Sequence, residues 1–147
     1  MGPALIRDQV GASVENRIHY LNTDLDLTSA EDLTPFSAIL EACGFFLVKV
    51  RCHDGLWTAV FEAGQQYEEA GKSIEEMVAT LESLQEPWRS VFLRCTTREF
   101  NIGYECGPEP WAFNQGLSNK LLGRMSSLGA SLRVTLYPNR EPAGEQG

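Results

Sequence analysis

The stretch FFLVKVRCHDGLWTAVFE, residues 45–62, sets two runs of apolar, β-branched and aromatic residues on either side of Asp54-Gly55. That dipeptide suits a two-residue turn in which both positions take positive φ, so the stretch predicts a β-hairpin. Pairing outward from the turn puts Cys52 opposite Trp57, Val50 opposite Ala59 and Val48 opposite Phe61, all on one side. Lys49, Arg51, Thr58 and Val60 then share the other side. One face is expected to be buried and the other to meet water, which makes an antiparallel sheet the nucleus of the fold.

The flanking segments extend this sheet and supply its cover. Residues 17–27 alternate as a strand, but the apolar phase moves from Ile18/Tyr20 to Leu25/Leu27 around Asn22, which suggests a bulge or a strand end. Leu33, Phe36, Leu40 and Cys43 recur at helical spacing; Pro35 fits the first turn and Gly44 stops the helix. Ser73 and Glu76 read as a capping box ahead of Ile74, Met77, Val78, Leu81 and Leu84, and Pro87 opens a shorter helix with Trp88, Val91, Phe92 and Cys95. Residues 97–105 set Phe100, Ile102 and Tyr104 against Thr97, Glu99, Asn101 and Glu105. A short strand is expected over 111–115. Ser118 caps a helix carrying Leu121, Leu122, Met125 and Leu128, and a last strand over 131–137 turns Leu132, Val134 and Leu136 inward.

These elements predict an α+β domain of two layers: a mostly antiparallel sheet of about six strands, with three to four helices mainly on one face. Laying residues 36–47 over 121–132 matches helix, glycine and strand at constant offset, which suggests a pseudo-duplicated strand-helix-strand unit. The ends, 1–16 and 139–147, lack periodicity and read as flexible, leaving one domain over 17–138.

Composition narrows the partners. Twelve basic against twenty acidic residues give a net charge of −8, which opposes binding to a phosphate backbone and argues against a nucleic-acid partner. Residues 62–93 hold seven Glu against Lys72 and Arg89, a solvated helix face able to attract a basic protein. No run reaches the roughly 20 apolar residues of a membrane span, and the first residues have no secretory pattern. Ile6 stands where myristoylation needs Ser or Thr. Cys43, Cys52, Cys95 and Cys106 are too scattered for a zinc site and read as small buried hydrophobes of a cytoplasmic protein.

No catalytic set, metal site or cofactor motif is recognisable. Asp24 and Asp26 project from one side of a strand and together supply only part of a cation's coordination shell. His19 and His53 have no sequence partner, and alternation turns Cys52 and His53 to opposite faces. The candidate binding residues lie in FNIGYECGPEPWAFNQGLS, residues 100–118, where Asn101, Tyr104, Trp111, Phe113, Asn114 and Gln115 mix rings with amides as recognition rims do.

The segments HYLNTDLDL (19–27), REFNIGY (98–104), EPWAFNQGLS (109–118) and LGASLRVTLYP (128–138) resemble a small bacterial family of uncharacterised function. That likeness implies a bacterial cytosolic protein and no activity. Residues 117–137, a short helix, Leu-Gly-Ala-Ser-Leu and an alternating strand ending in Tyr, are similar to a domain family linked with immunity to polymorphic toxins. Together these readings lead to a non-enzymatic protein-binding role, using the sheet face or the 100–116 rim, with an immunity-like inhibitor as one version. The alternative is an enzyme or small-ligand receptor with a cleft at Tyr104, Trp111, Asn114 and Gln115, and Glu99 or Glu105 as acid/base, which needs a bulge at Gly103. An exposed edge over 17–27 offers a route to homo-oligomers.

Overall fold

The computed structural model describes residues 17–138; the termini read as flexible lie outside them. Among these residues the chain forms β1 (His19–Ser29), α1 (Thr34–Ala42), β2 (Phe46–His53), β3 (Leu56–Glu62), α2 (Ala70–Glu82), α3 (Trp88–Arg94), β4 (Thr97–Glu105), α4 (Asn119–Ser127) and β5 (Ser131–Tyr137). The sheet runs β2-β3-β1-β4-β5, antiparallel except for the parallel β4–β5 pair. This is the expected α+β arrangement with five strands rather than six. Residues 111–115 form no strand, since Pro108 and Pro110 withdraw backbone donors just before them and the Gln115 side chain, described below, ties the segment to α2 instead.

The hairpin forms about its turn with Asp54 at φ 52° and Gly55 at φ 79°, the positive pair that Asp-Gly favours. Cys52 pairs with Trp57 and Val50 with Ala59, but a bulge between Leu47 and Lys49 gives Phe61 to Leu47 rather than Val48. Val48 is thereby exposed, because the extra residue shifts the β2 phase by one. Cys52 also stays exposed at the hairpin tip, beyond the reach of the helices. The phase shift read around Asn22 is a second bulge, between Tyr20 and Asn22 of β1.

Leu25 sits between Phe61 and Phe100 across three strands, and Thr23 faces Ile102. On this face Phe36, Leu40, Ile74, Met77, Phe92, Leu121 and Met125 from all four helices complete one buried cluster, so helices cover one face of the sheet. α1 starts as expected, with Asp32 Oδ1 accepting from Thr34 N at 2.8 Å. α2 starts four residues before the expected cap: Glu69 rather than Ser73 is its N-cap, Ser73 is buried inside it, and Glu76 reaches back to accept from Gly64 N and Tyr67 OH. Ser118 does cap α4, accepting from Leu121 N at 3.1 Å.

Both halves contain a strand-helix-strand unit with parallel strands, but β3 is inserted between β1 and β2 whereas β4 and β5 are direct neighbours. β1 is consequently central, and the edge expected over 17–27 is not an edge; β2 and β5 are. Among the cysteines, Cys95 alone is buried, and burial pushes its thiol up to about 11. Cys43 and Cys52 are exposed and Cys106 is half-buried, because helix ends and the hairpin tip lie outside the packed layer.

Candidate functional site

Strand alternation puts every other side chain of the sheet on the side that, among the described residues, carries no helix. The register there can be followed across the strands: Phe46, Glu62, Asp24, Asn101 and Arg133 form one row, and Lys49, Val60, Asp26, Glu99 and Ser131 the next. Four carboxylates thus lie on β1, β3 and β4, with Lys49 and Arg133 toward the two edges. Arg133 Nε donates to Glu99 Oε1 at 2.8 Å and Thr135 Oγ1 to Asn101 Oδ1 at 2.7 Å. Val60, expected to meet water, is buried on this side even though no described helix covers it.

Asp24 and Glu62 are directly cross-strand, where like charges oppose pairing. Asn22 mediates between them, its Nδ2 donating to Glu62 Oε2 at 2.7 Å and to Asp24 Oδ1 at 3.2 Å. Partial burial first, and then the Glu62 charge, push the Asp24 carboxyl up to about 7. Asp26 is raised as well, by burial and then by Glu99 across the strand pair. At neutral pH part of this row holds a proton that an ordinary surface carboxylate would have lost.

Beside Glu62 a hollow of about 250 Å³ opens at the end of the row, lined among others by Asn22, Phe46, Glu62, Gln65, Tyr67 and Ser73. Its lining includes one carboxylate, Glu62, and the three side-chain amides of Asn22, Gln65 and Gln66, a set able to accept a cationic head group. Asp24 and Asp26 lie on this same face, and among the described residues no cluster of three or more His, Cys, Asp or Glu side chains could hold a metal ion. His53 lies at the exposed hairpin tip beside Asp54, and His19 Nδ1 lies 2.9 Å from the Arg17 carbonyl.

The residues of the 100–118 rim are split by the fold. Asn101 belongs to the open face. Tyr104 points to the helix side, edge-on to Tyr20 and Phe113 with ring centroids 5.9 and 5.7 Å away. Trp111 is 99% exposed and Asn114 is exposed, but Gln115 is engaged internally. Its Oε1 accepts from Ala70 N at 3.1 Å and Tyr104 OH at 3.2 Å, and its Nε2 donates to the Glu68 carbonyl at 2.8 Å. Gln115 therefore caps α2 from a distant loop, which is why that helix begins ahead of its own Ser73. Replacing Gln115 by Ala leaves these backbone groups unpaired and is expected to cost about 1–2 kcal/mol. Replacing Trp111 by Ala is expected to stay within about 0.5 kcal/mol of the parent; urea midpoints of the two variants separate the roles.

A second hollow, about 210 Å³, lies on the helix side between Tyr104, Gln115, Leu117, Leu132 and Val134. Glu99 and Glu105 alternate away from it, and the bulge that would join them to Tyr104 is in β1, not at Gly103. The sequence singled out Asp24 and Asp26 as a partial cation or acid/base pair and Asn101 as part of the 100–118 rim, whereas it held no signal that joins Glu62 and Asn22 to them, since their partners are remote in the chain. No protein-family model, curated protein or solved structure matches the chain.

Proposed function

We propose that this is a non-enzymatic binding protein that offers the helix-free face of its sheet to a basic protein partner. The observation that carries the reading is the crowding of Asp24, Asp26, Glu62 and Glu99 on three adjacent strands, with no helix over them among the described residues. Holding like charges side by side costs folding energy, and a cationic partner removes that cost on binding. The hollow beside Glu62 and Asn22 takes one Lys or Arg head group, while Lys49 and Arg133 bound the acidic rows and set the partner's register. The net charge of −8 attracts the same partner at longer range. An inhibitor of the immunity type, acting on a basic toxin, is the narrower form of this role and fits the likeness of residues 117–137. No helix among the described residues is long and apolar enough to cross a membrane.

The test is an amide-shift titration of the labelled protein with an arginine-rich peptide at low salt. Shifts are expected at 22–28, 58–62 and 97–103, and Glu62→Gln combined with Asp26→Asn is expected to weaken binding about tenfold. Shifts confined to the acidic surface of α2, or affinity untouched by the double variant, would refute the proposal. A second reading, a small-molecule receptor, draws on the 210 Å³ hollow at Tyr104 and Gln115. Its largely apolar lining favours a small apolar ligand, and shifts at Ile102, Tyr104 and Leu117 on addition of an apolar fragment library would support it.

A further inference from the structure

The two edges of the sheet are built differently. β2 is broken by its bulge at Val48 and carries Lys49, Arg51 and His53, devices that keep another strand from pairing. β5, Ser-Leu-Arg-Val-Thr-Leu-Tyr, has no bulge, proline or lysine. Its outer edge pairs with no described strand. Its apolar row, expected inside, faces the helix side but remains open: Leu132 is 42%, Val134 54% and Leu136 62% exposed. The helix next to it, α4, buries Leu121 and Met125 and leaves Leu122 exposed.

We infer that β5 is a self-association edge, pairing antiparallel with β5 of a second copy about a two-fold axis at Val134. The strand is its own complement in that register. Val134 meets Val134 of the second copy, Leu132 meets its Leu136, and Arg133 meets its Thr135. No charge meets its like, because Arg133, the one charged residue of the strand, faces Thr135 of the second copy and is already paired to Glu99 of its own chain.

The backbone phase agrees. Tyr137 O accepts from Cys106 N and so points toward β4; alternation then directs the N–H and C=O of Leu132, Val134 and Leu136 outward, where each meets its mate in the second copy. The pairing joins the two sheets with the helices of both copies on one side. It covers the exposed apolar row and leaves both acidic faces open on the other side, so the dimer is independent of the binding role proposed above.

Sedimentation of the full chain across concentrations tests this, together with amide exchange. The expected result is a reversible dimer whose Leu132, Val134 and Leu136 amides gain protection as concentration rises. Val134→Lys, at a position 54% exposed in the single chain, sets two ammonium groups on the axis and is expected to raise the dimer dissociation constant about a hundredfold. A monomer at all concentrations overturns the inference. So does a dimer unaffected by Val134→Lys, and so does concentration-independent protection of these amides, which would mean that the chain's own ends cover the edge.

Discussion

Arg98→Ala is expected to lower folding stability by about 3–4 kcal/mol, the cost of leaving several carbonyls without a charged donor. Arg98 is the second residue of β4 and turns toward the helices. Its Nη1 donates to Leu93 O at 2.9 Å and Cys95 O at 2.6 Å, and its Nε donates to Leu128 O at 3.1 Å. These are the terminal carbonyls of α3 and α4, where the helix dipoles also favour a cation. The guanidinium carbon stands 5.8 Å from the centre of the Phe92 ring. Gly129, at φ 69°, passes so close to the guanidinium that a side chain there would collide with it. One residue thus closes two helix ends against one strand. Chemical denaturation measures the loss, and Arg98→Lys is expected to recover little of it, because one ammonium cannot span carbonyls on two elements. A loss under about 1 kcal/mol would show that solvent replaces these bonds.

Asp24→Asn is expected to stabilise the protein above neutrality. The Asp24 carboxyl rises from its ordinary 3.8 to about 7 in the folded chain, so between those values the native state holds a proton that the unfolded state has released. Stability then falls as pH rises through that window, in full effect below it and lost above it. For a wholly dry carboxyl such a rise would be worth roughly 4 kcal/mol. Solvent reaches this half-buried group, and screening reduces the effect to about 1–2 kcal/mol. The amide keeps the shape, removes the charge opposite Glu62 and can donate to it. Melting curves of parent and variant should coincide near pH 4 and separate by pH 8 in favour of the variant. A variant less stable at pH 8 would mean that the pair is held favourably as it stands. The same variant should bind a basic peptide less well, so the gain in stability comes at the expense of recognition.

Local chemistry was legible wherever it was self-contained. Asp54-Gly55 implied its turn, Gly44 and Pro35 the limits of α1, Ser118 the start of α4, and the broken alternation at Asn22 its bulge. The misread elements are those whose decisive partner lies far along the chain. The start of α2 depends on Gln115, 45 residues beyond Ala70, and no local signal at Ser73 reveals that. The Val48 phase depends on how β2 settles against β3 and α1. Of the candidate site, Asp24, Asp26 and Asn101 were visible as polar positions of alternating strands, while Glu62 and Asn22 gained meaning only through pairing.

Periodicity and turn chemistry by themselves determined the elements, the α+β class, the apolar stripes and the overall acidity, because these follow from spacings of a few residues. Tertiary structure alone decided that β1 is central and β5 an edge, since strand order depends on which apolar faces can be covered together. It also brought Asp24 against Glu62 and Asp26 against Glu99, since a carboxylate's neighbours across a sheet are set by register and not by distance along the chain.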